Sequence, residues 1–187
     1  FEVRDLKKYF PVKRFLGGKP QYVKAVDGIT MDIMKGETFG LVGESGCGKS
    51  TLGRTMIRMY DVTGGTVSYK GTDITKATPK DMRKFQNKIQ IIFQDPYSSL
   101  NPFWNVEEIL QEPLKQIGMP EGERRDRIEY LLNKVGMKKD DMAKFPYEFS
   151  GGQRQRIGIA RALTVNPEFI MCDEPIAALD CSIQAQV

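Results

Sequence analysis

Gly43-Glu44-Ser45-Gly46-Cys47-Gly48-Lys49-Ser50-Thr51 is the stretch of this chain best suited to chemistry. It places four residues between two glycines, then Lys and Ser/Thr, the pattern of a phosphate-binding loop. Gly43, Gly46 and Gly48 let backbone N–H groups turn inward around phosphate oxygens, where a Cβ would block the approach. Lys49 adds a positive charge that reaches the β- and γ-phosphates, and Ser50 can place a hydroxyl on Mg²⁺. A second candidate closes an apolar run: Phe169-Ile170-Met171-Cys172 ends on Asp173 and Glu174. Beyond a strand end, Asp173 could contact Mg²⁺ opposite Ser50, and Glu174 could polarise a water for attack on the γ-phosphate. An Asp-Glu pair alone fits a solvated turn better. Its company with a phosphate loop in one chain favours the functional reading. The third candidate is Phe149-Ser150-Gly151-Gly152-Gln153, which precedes an amphipathic helix. It reads either as a second phosphate-binding helix N-terminus or as a helix start capped by Ser150.

The elements that must position these residues follow from pattern. Residues 1–10 and 22–34 alternate in the manner of strands, with Val3, Leu6, Val23, Ala25, Val26, Ile29, Met31 and Ile33 as their apolar members. Pro11 to Pro20, with Gly17-Gly18, reads as a loop between them. Thr38-Phe39-Gly40-Leu41-Val42 is a short apolar run predicting a buried strand before the phosphate loop. Leu52, Met56 and Met59 recur at helical spacing after it, so a helix is expected to about Tyr60. Gly64-Gly65 turns into Thr66-Val67-Ser68-Tyr69, expected as an edge strand, and Gly71-Thr72-Asp73 is expected as a turn. Lys88 to Phe93 is a further buried-strand candidate. Pro96, Pro102 and Pro113 then punctuate a loop-rich stretch. Ile128, Leu131, Leu132 and Val135 form an i, i+3, i+4, i+7 stripe, and Ile157, Ala160 and Leu163 mark the helix after Gly152. Residues 95–164 are therefore expected to be mostly helical and inserted between strands.

With 187 residues, the chain can bury one substantial core or a core with a smaller lobe. Its formal charge of +4 is mild, and the basic residues are interspersed with acidic ones, which gives no support to nucleic-acid binding. Lys7-Lys8 and Lys13-Arg14 read as solvated surface. No run of about 18 apolar residues predicts a membrane-crossing helix, and the N-terminus lacks a signal-peptide core. Cys47, Cys172 and Cys181 lack metal-ligand spacing and fit a reducing, cytosolic setting better than a disulfide framework. Histidine is absent.

The order of Gly43–Thr51, Gln94, Phe149–Gln153, Phe169–Glu174 and Ala178-Leu179-Asp180 resembles the nucleotide-binding domain of ABC transporters over almost the whole chain. The resemblance implies an α/β P-loop NTPase with a RecA-like core, an N-terminal antiparallel β part and an inserted helical subdomain. The core would comprise 1–94 and 165–187, and the helical subdomain 95–164. Gly43–Thr51, with Glu44, Ser45, Cys47 and Thr51 among its members, would be the Walker A loop, and Gln94 the Q-loop glutamine. Ser150-Gly151-Gly152-Gln153 would be the signature motif, with Phe149 where Leu is usual. Asp173 and Glu174 would be the Walker B aspartate and catalytic base, and Ala178-Leu179-Asp180 the D-loop. Lys49 and Gln94 would support catalysis, with Ser50, Gln94 and Asp173 serving Mg²⁺. An aromatic residue stacks on adenine in this family, with Phe10 the first choice here and Tyr22 the second.

The family works as a head-to-tail dimer that sandwiches ATP between Walker A of one subunit and the signature motif of the other. Within it, Gln94-Asp95-Pro96-Tyr97-Ser98-Ser99-Leu100-Asn101-Pro102 resembles the ATP-binding subunits of dipeptide, oligopeptide and nickel importers. The resemblance implies an ATPase with Mg²⁺, peripheral on the cytoplasmic face of the membrane. Its partners would be a second ATP-binding subunit, identical or different, permease subunits and, indirectly, a solute-binding protein. Peptide is favoured over nickel as the solute. The alternatives are a soluble ABC-type ATPase without a membrane partner, or a nucleotide-binding piece that hydrolyses poorly. The last arises because the family places a switch histidine beyond the D-loop, so the chain reads as truncated before it.

Overall fold

The computed structural model describes residues 1–12 and 21–175. Lys13-Arg14, most of the Pro11–Pro20 loop, Ala178-Leu179-Asp180 and Cys181 lie outside the described residues. Two compact units divide the chain, Phe1–Lys84 and Phe85–Val187.

In the first unit the alternating segments form long antiparallel strands, β1 (Glu2–Val12) and β2 (Gln21–Asp32). The helix α1 (Lys49–Met56) follows the phosphate loop. The strands β3 (Gly64–Tyr69) and β4 (Thr72–Asp73) complete a sheet of order β2-β1-β3-β4. Val3 pairs with Val67 across β1 and β3, and both are fully buried with Leu6. These residues, together with Val26, Leu52, Met56 and Ile74, supply the apolar burial that holds the unit together. A short helix α2 (Pro79–Met82) ends this part of the chain, its first turn closed by a capping box between Thr78 and Asp81.

Several expectations change here. Residues 38–42 form no strand, and Val42 is 91% exposed. A strand exists through hydrogen bonds to a neighbour, and no described strand pairs with this run, so its apolar composition alone does not define one. The helix after the loop ends at Met56 rather than near Tyr60. Arg58 takes a left-handed conformation (φ 64°), the Arg58 N–H donates to the Thr55 carbonyl at 3.1 Å, and the Met59 N–H donates to that of Arg54 at 2.8 Å. That is a Schellman cap, and it turns Met59 away from the helical stripe into solvent. The strand β3 lies between β1 and β4 rather than at an edge, because Thr72-Asp73 pairs with it instead of only turning.

In the second unit β5 (Ile89–Ile92) precedes a helical stretch: α3 (Pro96–Ser99), α4 (Val106–Gln116), α5 (Glu121–Lys134) and α6 (Gly151–Leu163). The strand β6 (Phe169–Cys172) then pairs parallel with β5. Pro113 lies inside α4 rather than in a loop. A capping box at its start, in which the Glu108 N–H donates to Asn105 Oδ1 at 2.8 Å, sets the helix. Burial of Ile109, Leu110 and Leu114 carries it past the missing amide hydrogen. The predicted stripe of Ile128, Leu131, Leu132 and Val135 is buried against α4 and α6, with Phe149, Ile157 and Ala160 in the same core. No described helix is long and apolar enough to cross a membrane.

Leu132 is fully buried in this core. Leu132→Ala is expected to cost about 2–5 kcal/mol of stability, read from the midpoint and slope of equilibrium urea unfolding.

Candidate functional site

The phosphate loop is shaped by close approach. Gly48, the residue before α1, has φ 99°, and a Cβ there would stand 2.3 Å from the Ala25 carbonyl oxygen of β2. Only glycine satisfies both the left-handed backbone and that contact. A Cβ at Gly43 would meet Cys47 Sγ at 2.8 Å. The Lys49 ammonium donates to the carbonyl oxygens of Gly43 and Glu44, both at 2.8 Å, so its charge sits within the loop's own turn. Glu44, Ser45, Gly46 and Cys47 are exposed on the turn, and Ser50 and Thr51 open α1 half-buried. The combination of oriented backbone, helix start and cation suits an anion. Cys47 and Cys172 are free thiols.

The two aromatic candidates stand on neighbouring strands of the same sheet. Phe10 packs edge-on against Tyr60, ring centroids 5.5 Å apart, with the Lys8 ammonium 4.8 Å from its centroid. Tyr22 pairs with Pro11 across β1 and β2 and is more than half exposed.

In the second unit the parallel strands bring distant residues together. β5 and β6 pair from Ile89 with Phe169 to Ile92 with Cys172, and the Asp173 N–H donates to the Ile92 carbonyl at 2.9 Å. Gln94 and Glu174 each stand two residues past the last pair, and Gln94 Nε2 donates to Glu174 Oε2 at 2.6 Å. Asp173 is buried at 5% exposure, whereas Gln94 and Glu174 are exposed. Glu174 has φ 48°, a left-handed conformation that costs a non-glycine residue about 1–3 kcal/mol and concentrates at functional sites.

Ser150 caps α6. The Gln153 N–H donates to Ser150 Oγ at 3.3 Å, and the Ser150 N–H donates to Gln153 Oε1 at 2.9 Å. The capped helix start is thus observed, and a Cβ at Gly151 would meet open space. Gly152 follows in the first turn, and Phe149 anchors the segment in the core.

Sequence reasoning missed what α6 does next. Arg154 lies over the Tyr97 ring, 3.6 Å from its centroid, and its Nε donates to the Phe149 carbonyl at 2.9 Å. Gln155 Nε2 donates to the Phe93 carbonyl at 3.1 Å, and the Arg161 guanidinium donates to the Ser99 carbonyl. Burial lowers the pKa of Arg161 from its ordinary value. The available signal was the spacing of Arg154 and Arg161, which share a helix face with the buried Ile157.

The family model described as ABC transporter matches residues 26–177. The chain belongs to the ABC transporter family. It is 54% identical to the oligopeptide transport ATP-binding protein AppF of Bacillus subtilis (strain 168), a match covering 100% of this chain and 57% of AppF. It is 46% identical to the dipeptide transport ATP-binding protein DppF of Escherichia coli (strain K12), covering 98% of this chain and 55% of DppF. The chain therefore spans little more than half the length of these relatives. The ATP-binding cassette MJ0796, solved as a dimer in a post-hydrolysis state with ADP and Pi, aligns with a TM-score of 0.86 at 28% identity. That alignment covers 99% of this chain and 78% of that one. The fold class is accordingly the α/β P-loop NTPase of ABC cassettes.

Gly48→Ala is expected to lower stability by about 2–4 kcal/mol, from the overlap with Ala25 and the left-handed strain, in thermal unfolding. Gly122→Ala, in a helix with open space, should leave the Tm unchanged or raise it. The Asp95 carboxylate accepts the Tyr97 N–H at 2.9 Å, and this bond, with the Ser98 hydroxyl, holds its pKa below the ordinary carboxylate value. Its contribution is therefore complete above the unfolded value of about 3.9 and is lost as pH falls through the lower folded value. Stability measured from pH 5 downward should show that acid loss in the native protein, and less of it in Asp95→Asn.

Proposed function

We propose that this chain is the nucleotide-binding part of an ABC importer subunit that hydrolyses ATP to drive peptide uptake. The observation that carries the reading is the Gln94–Glu174 hydrogen bond at the ends of β5 and β6. It sets an exposed carboxylate, on strained backbone, beside a second polar group where nucleotide-binding sheets place their ligands. The transport names of AppF and DppF support peptide over nickel as the solute.

In this reading the N–H groups of Gly43–Thr51 and the Lys49 ammonium hold the β- and γ-phosphates, and Phe10 or Tyr22 stacks on adenine. Glu174 accepts a proton from the attacking water, and Gln94 orients that carboxylate. Ser50, Gln94 and Asp173 fit Mg²⁺ in donor chemistry, since hydroxyl, amide and carboxylate oxygens are the hard ligands this ion takes. Among the described residues no cluster of three or more His, Cys, Asp or Glu is built for a metal, and Mg²⁺ is commonly held by one or two carboxylates with substrate phosphates. When bound, the ion would neutralise developing phosphate charge. Ser150, Gly151, Gly152 and Gln153 of a second subunit close the site in a head-to-tail dimer, an assembly supported by the dimeric MJ0796 cassette. The core, 1–94 and 165–187, carries the chemistry. The helical part, 95–164, meets permease subunits at the cytoplasmic face of the membrane, and a solute-binding protein delivers peptide to them.

In the full-length protein, Glu174→Gln should reduce ATP turnover about 100-fold or more while MANT-ATP still binds, because general-base catalysis contributes about 10²–10⁴-fold. Equal turnover in the variant and the native protein would refute the assignment.

A further inference from the structure

Gln155 is polar, lies on α6 and is only 2% exposed. Burying a primary amide in a hydrophobic core is unfavourable unless the amide is hydrogen-bonded. Its donor is used on the Phe93 carbonyl at 3.1 Å. Phe93 is the first residue past the paired segment of β5 and the one immediately before Gln94. There the chain leaves the paired segment, and among the described residues no strand pairing fixes this carbonyl's direction. On the other side, β6 and the Asp173 N–H bond to Ile92 fix the backbone that leads to Glu174. The Gln94–Glu174 bond thus spans two arms, one held by the sheet and the other by Gln155. Arg154 on Tyr97 and Arg161 on the Ser99 carbonyl secure the same segment further along. Gln155 is the one of the three that holds the residue adjoining Gln94.

We propose that Gln155 is a positioning residue for ATP hydrolysis. Its amide sets the backbone from which Gln94 reaches Glu174, so α6, which Ser150 caps, also fixes the orientation of the proton-accepting carboxylate. Gln155 touches neither nucleotide nor water in this scheme; it acts through Gln94. The proposal rests on the reading of Glu174 as the base.

The test uses the full-length subunit assembled with its partners, with ATP turnover as the readout. Gln155→Met keeps the length and removes the donor. It should lower kcat about tenfold with KM for ATP nearly unchanged, the size expected for one lost hydrogen bond to a partly buried carbonyl. In a Gln94→Ala background the same substitution should cost nothing further, because the group it positions is gone. A merely structural Gln155 would give multiplicative losses in the double variant, and that result, or an unchanged kcat in Gln155→Met, overturns the proposal. If Gln155→Met does not fold, Gln155→Glu provides a second route. Its carboxyl donates only when protonated, so its kcat relative to the native protein should rise as pH falls, and a flat ratio overturns the idea. Glu174→Gln is assayed alongside. Unchanged turnover there removes the base assignment and this inference together. Lost turnover combined with multiplicative Gln94 and Gln155 effects removes the inference alone.

Discussion

The parallel pairing of β5 with β6 is the constraint on which the second unit depends. Parallel strands cannot be joined by a tight turn, so the chain must make a long crossover between them. Here the crossover contains α3 to α6, and its buried face is the core that includes Leu110, Ile128, Leu132 and Ile157. The same pairing fixes the register that places Gln94 opposite Glu174. Core and candidate site are thus consequences of one arrangement. The interior of the crossover is apolar, and its return helix α6 directs Arg154, Gln155 and Arg161 at the segment leaving β5.

The phosphate loop depends on a different and more local balance. Gly48 accepts a left-handed backbone beside the Ala25 carbonyl, a contact that exists only because β2 lies there. The Lys49 ammonium is held by carbonyl oxygens of its own loop. Such a loop gains its affinity for anions from aligned N–H groups and from the helix start, which polar neighbours complement and bulky ones would block. Ser150 shows the same helix-terminus chemistry used for capping, with Gln153 answering it reciprocally. The capping role is visible within the chain. A phosphate role requires a second subunit and belongs to the proposed dimer.

Long periodic elements were legible. The apolar residues around Val3, Leu6 and Val26 marked two strands although burial along them does not alternate, and the stripe at Ile128, Leu131 and Leu132 gave a helix because apolar burial there repeats with the helical period. Short runs were less so. Residues 38–42 are apolar enough for a strand but lack a described neighbour, and apolar composition is silent on pairing. Met59 matched the helical spacing but fell beyond a cap set by Arg58, a residue with no turn-forming signature. Pro113 argued for a loop, yet burial of the surrounding leucines and isoleucine outweighed its missing donor.

The sequence by itself determined the chemistry available: a glycine-rich loop with Lys49 and Ser50, a carboxylate pair after an apolar run, and a serine-glycine helix start. These depend on residue type and local spacing, which a linear chain displays in full. It also determined the family, since the motifs stand in one order. Only the tertiary structure decided that Gln94 touches Glu174, that Glu174 sits on strained backbone, and that buried Gln155 holds the carbonyl beside Gln94. The two hydrogen bonds join residues far apart in the chain. Their existence is set by strand register and by what α6 packs against, and neither is written in any local segment.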